Sequence, residues 1–75
     1  MSPVLETVTL VLEQAGDPMH VREIHAAAEQ LAGEPLLWKS VKAALAVNAE
    51  GDGARFERVR RGYYRIREYV APLSG

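Results

Sequence analysis

No cysteine occurs among the 75 residues, which excludes a disulfide framework and a thiolate metal site. No apolar run approaches the roughly 20 residues that a membrane-spanning helix requires. The opening Met1-Ser2-Pro3-Val4-Leu5-Glu6 has no basic stretch, so no secretory signal is expected and a cytoplasmic location is. Histidine is scarce. His20 and His25 stand five apart, about 140° around a helix, so no metal site is expected even with Glu23 or Glu29 nearby. Ser40 has no visible base partner, and Glu6 and Glu13 fall on the outside of a helix. No glycine pattern fits a phosphate-binding loop. The expectation is a chain that is no enzyme and takes no cofactor.

What is present is one domain's worth of apolar residues. Hydrophobic residues make up 48% of the chain, enough for a core without staples. A domain of this length buries only about 60% of its unfolded surface, so its stability is marginal. The net charge of -1 conceals an asymmetry. Residues 1–38 carry Arg22 against Glu6, Glu13, Asp17, Glu23, Glu29 and Glu34, a net of -5. Residues 39–67 carry two lysines and six arginines against Glu50, Asp52 and Glu57, a net of +5. A dipolar chain of this kind can meet a polyanion at one end while staying near neutral overall.

Three helices are expected. Ser2 can cap the first, and Pro3 suits its first turn. Val4, Leu5, Val8, Val11, Leu12 and Ala15 then form one stripe at helical spacing, and Gly16-Asp17-Pro18 ends it. Met19 to Val21 reads as a short extended link or minor strand. The second helix spans about Val21 to Ala32, with Ile24, Ala27, Ala28 and Leu31 inward and Gly33 as its stop. The third spans about Leu36 or Leu37 to Ala49. Leu37, Val41, Ala44, Leu45 and Asn48 share its inner face, and Lys39, Lys42, Ala43 and Ala46 share the outer one.

A loop at Gly51-Asp52-Gly53 leads into a hairpin from Arg55 to Glu68 that holds six of the seven arginines. In one register Arg60-Arg61-Gly62 is a three-residue loop, with Phe56, Tyr64 and Ile66 inward and Val59 outward. In the other, Arg61-Gly62 is a two-residue turn, Val59 joins the inner face, and a bulge is needed to bring Phe56 inward. The non-glycine residue at the first turn position favours the three-residue loop. Tyr63, Arg65 and Arg67 lie outside in both. The sequence therefore reads as a mainly α, α+β chain: a winged helix-turn-helix of three helices followed by a two-stranded wing. Tyr69 to Gly75, with Pro72, reads as a packed end followed by a linker, so the domain is placed at residues 1–70, with 71–75 as a tail or linker.

Two stretches carry a resemblance. Gly16-Asp17-Pro18-Met19-His20-Val21-Arg22-Glu23-Ile24 is similar to the opening of helix two in the HARE-HTH family of winged helices. Arg55-Phe56, Arg58-Val59, Arg61-Gly62, Tyr64 and Ile66 resemble that family's wing in order and spacing. The likeness covers about residues 4–68. It implies a winged domain appended to other modules, as in restriction and modification enzymes, chromatin proteins and the delta subunit of bacterial RNA polymerase. It also implies DNA binding, with sensing of modified bases proposed for some members. Where members often begin helix three with a Thr-Pro-Glu-like cap, this chain has Leu36-Leu37-Trp38.

The expected partner is duplex DNA. Lys39, Ser40, Lys42, Ala43 and Ala46 would enter the major groove, the small alanines allowing close approach and contact with a thymine methyl. Arg60, Arg61, Tyr63, Arg65 and Arg67 would meet the backbone or the adjacent minor groove. With no Asn, Gln or Arg on the outer face of the third helix, sequence specificity is expected to be modest. Arg58 is ambiguous and could pair with an acid of an earlier helix. Trp38 could stack on a modified or unpaired base, although packing against the core is its more ordinary role. The alternative reading is a protein-docking module, engaging RNA polymerase, a partner subunit or a fused enzymatic domain through the acidic half at Glu6, Glu13 and Glu29. Reading modified bases is the third.

Overall fold

The computed structural model describes residues 3–51 and 53–67. Helix α1 (Pro3–Ala15), strand β1 (Met19–His20), helix α2 (Val21–Ala32), helix α3 (Trp38–Val47) and strands β2 (Phe56–Arg60) and β3 (Tyr63–Ile66) follow in that order. The result is a mixed α+β fold, three helices against a small antiparallel sheet of strand order β1-β3-β2. The expected cap at Ser2, and the expectations for Asp52, Glu68 and the tail from Tyr69 to Gly75, lie outside the described residues.

The core is one cluster. Val8, Val11 and Leu12 from α1 meet Val21, Ile24 and Ala28 from α2, Val41 and Leu45 from α3, and Phe56 from β2. The helical stripes explain it, since residues three and four apart share a face. Three helix-end expectations fail. Ala15 is exposed, Leu31 is 46% exposed, and Leu37 is 75% exposed. Each sits at the end of its helix, where the stripe runs past the edge of the core. Leu36, one residue before Leu37, packs on the core instead.

Helix α2 is capped at both ends. The His20 Nδ1 accepts the Arg22 backbone N–H at 3.1 Å, and Glu23 accepts the His20 backbone N–H at 3.1 Å. This reciprocal pair gives donors of the first turn a partner. At the other end Gly33 adopts φ 74° and its N–H reaches the Glu29 carbonyl. Helix α3 is different. Its N-cap residue, Leu37, offers no side-chain hydrogen bond. Replacing an exposed non-capping residue with serine adds the missing acceptor at a cap worth about 0.5–2 kcal/mol. Leu37→Ser is therefore expected to raise the melting temperature by several degrees in a circular-dichroism melt.

The wing expected to be two-stranded belongs to a three-stranded sheet. Met19 pairs with Tyr64 and His20 with Tyr63, so the link before α2 is a strand. The favoured three-residue hairpin loop is also corrected. Arg60 pairs with Tyr63 across a two-residue Arg61-Gly62 turn, and the register shifts between Arg58 and Arg60. Val59 is the extra residue of that bulge and is 38% exposed. Beyond it, Phe56 pairs with Ile66 and is fully buried. The bulge reconciles a short turn with an inward Phe56, at the cost of one unpaired residue on an edge strand.

Candidate nucleic-acid interface

The outer face of α3 carries Lys39, Lys42, Ala43 and Ala46, all exposed. Ser40 is half-buried. With Ala43 it lines a shallow groove that also includes Leu5, Ala44, Val47 and Asn48, at the edge of that face. Val47 is 67% exposed and was not foreseen as part of this surface.

Trp38 does not join the core, contrary to its more ordinary expectation. It stays 39% exposed and meets His25 edge-on, with ring centroids 5.4 Å apart. The Lys42 Nζ lies 5.9 Å from the Trp38 ring centroid. His25 is itself held at the α2–α3 turn. Its Nε2 donates to the Leu36 carbonyl at 2.7 Å, while Glu29 accepts the Leu36 backbone N–H at 2.9 Å. The indole thus rests on a residue that ties α2 to the start of α3. This side-chain clip fixes the chain just before α3 and leaves the first-turn donors of α3 without a side-chain acceptor among the described residues.

On the hairpin the five expected contact residues have unlike surroundings. Arg65 donates to Glu57 through Nε at 3.0 Å, across a directly opposed strand pair. An exposed pair of this kind contributes about 0–1 kcal/mol. Arg67 donates to the Gly51 carbonyl at 3.3 Å, tying the end of β3 to the loop after α3. Tyr63 is half-buried rather than outward and free. One side of its ring meets His20, with centroids 5.1 Å apart, and the Arg60 Cζ lies 4.2 Å from its centroid. Arg61 is exposed at the turn itself.

Among the described residues Arg58, Arg60 and Arg61 have no carboxylate partner, which removes the expectation that Arg58 pairs with an acid of an earlier helix. Arg55 instead reaches α1, donating to the Thr9 hydroxyl at 3.4 Å. The sequence did not single out Arg55 or His20 as parts of this surface. For His20 the only signal was its place before an amphipathic helix.

Among the described residues there is no group of three or more potential metal ligands, and no helix is long and apolar enough to cross a membrane. An open groove of about 500 Å³ runs between α1 and α2, lined by Val11, Ala15, Met19, Ala27 and Leu31 with Gln14 and Gln30. No family model, no curated protein and no solved structure matches this chain.

Proposed function

We propose that the chain is a winged-helix module that binds duplex DNA through its hairpin and the outer face of α3, with modest sequence specificity. The observation that carries this reading is the state of the hairpin arginines. Arg58, Arg60 and Arg61 are exposed and have no carboxylate partner among the described residues. Arginines kept only to protect a sheet edge need not be so many or so concentrated at a turn. Guanidinium groups present planar donors that suit phosphate oxygens. On α3, Lys39 and Lys42 add charge beside the small Ala43 and Ala46, which permit close approach to a groove. That face holds no Asn, Gln or Arg for bidentate base reading, so most affinity is expected to come from phosphates.

Binding is expected to weaken steeply with salt. Each phosphate neutralised on B-DNA contributes about 0.9 to the slope of log affinity against log salt concentration. Arg60→Ala combined with Arg61→Ala should lower that slope by about 1.8 in fluorescence-anisotropy titrations, and by the same amount on unrelated duplexes. No binding at 20–50 mM salt, where the Debye length is about 14–21 Å, would remove the reading, as would a slope indifferent to both arginines.

A further inference from the structure

We infer that His20 and Tyr63 are positioning residues that hold the Arg60 guanidinium ready for a phosphate. This deepens, and rests on, the DNA-binding reading above. Tyr63 was expected to touch a ligand directly. Its ring instead contacts two side chains of this chain, His20 edge-on and Arg60 over the ring.

The stack is built from the backbone outward. His20 and Tyr63 are directly opposed in the β1–β3 pair, which sets the imidazole beside the phenol ring. The imidazole has little freedom, because its Nδ1 holds the Arg22 backbone N–H at the start of α2. Gly62 closes the other side: a Cβ there would stand 3.1 Å from the His20 Nε2. The Gly62 carbonyl accepts the Val21 backbone N–H at 2.8 Å, so the hairpin turn is bonded to the first residue of α2. Arg60 pairs with Tyr63 across the turn and lays its guanidinium over the ring.

The Arg60 guanidinium carries five N–H donors, and holding its carbon over a ring leaves donors for a ligand. A cation over an aromatic ring is also electrostatically favourable. An arginine already held in one place loses less freedom when it meets a phosphate. Tyr63 and His20 therefore raise affinity without touching DNA, and the number of phosphates neutralised does not depend on them.

The test uses three single variants at Tyr63 and His20, Arg60→Ala with and without Tyr63→Leu, a fluorescein-labelled 20-base-pair duplex, and NMR of the free protein. Tyr63→Phe keeps the ring, Tyr63→Leu removes it, and His20→Asn keeps a cap acceptor while removing the imidazole. The Arg60 Nε–Hε resonance should be displaced by the ring in the wild type and in Tyr63→Phe. It should return toward the Arg61 position in Tyr63→Leu. Affinity should fall about 3- to 10-fold in Tyr63→Leu and in His20→Asn, with the salt slope unchanged. Tyr63→Phe should stay within about twofold of the wild type, and Tyr63→Leu should have no further effect once Arg60 is alanine.

An undisplaced Arg60 resonance in the wild type overturns the proposal, whatever the binding. So does equal loss from Tyr63→Leu with and without Arg60, or failure of Tyr63→Phe to bind normally. A displaced resonance that depends on the Tyr63 ring, in a protein that binds no DNA, upholds the positioning of Arg60 and overturns only the choice of ligand.

Discussion

Phe56→Ala is expected to lose about 3–5 kcal/mol of stability. Phe56 is the largest fully buried side chain of the described residues, with no exposed surface. It is the contribution of β2 to a core otherwise made by the helices. Truncation removes the transfer free energy of the ring and leaves a cavity that close-packed neighbours fill only in part. A domain of this length has a total stability of about 4–11 kcal/mol, so the loss removes from about a quarter of it to all of it. The backbone bonds that anchor β2 survive the change: the Arg55 and Phe56 N–H groups both reach the Asn48 carbonyl, at 2.8 and 3.0 Å. The loss therefore reports the side chain. Urea denaturation with circular dichroism measures it. A loss under about 1 kcal/mol would show that the sheet is not anchored by this residue.

Gly62→Val is expected to cost about 3 kcal/mol, by a different mechanism. Gly62 has φ 80°, where a β-branched residue is a steric outlier. Its new Cβ would also meet the His20 ring, at 3.1 Å from Nε2 and 3.3 Å from Cδ2. His20 cannot swing aside without giving up the cap on α2 and its contact with Tyr63. The Gly62 backbone cannot retreat without stretching its bond to Val21. Gly33 supplies the control. It has a similar φ of 74°, but nothing lies within 4 Å of a Cβ built there. Gly33→Val should thus show the backbone strain without the collision. Thermal melts of the two variants separate the terms, and equal losses would mean that the turn is not packed against His20.

How much was legible can be judged residue by residue. The helices were legible because each is a local pattern: a stripe at period 3.6, closed in the first two by Gly16 and Gly33. The inward positions of Val8, Leu12, Ile24, Val41 and Leu45 followed from that period alone. The ends of the stripes were not legible. Whether Leu31 or Leu37 is covered depends on what a distant segment places opposite it, and the period carries no such information. Trp38 went astray for the same reason. Its neighbour is His25, on another helix.

The hairpin shows the division most clearly. Its existence, its glycine turn and its basic character could be read from Arg55 to Ile66, because turn chemistry and alternation are properties of adjacent residues. Its register could not. Local preference favoured a longer loop, while burying Phe56 beneath the helices requires Ile66 opposite it, so a short turn survives only with a bulge at Val59. The third strand and the Arg60–Tyr63–His20 cluster are likewise tertiary facts. They join residues about 40 positions apart in the chain, and such contacts form only once helical packing has met the entropy of closing the intervening loop. The sequence by itself determined the helices, the turn and the charge. Tertiary packing decided which arginines are held by neighbours and which face solvent, because that choice depends on groups brought together from opposite ends of the domain.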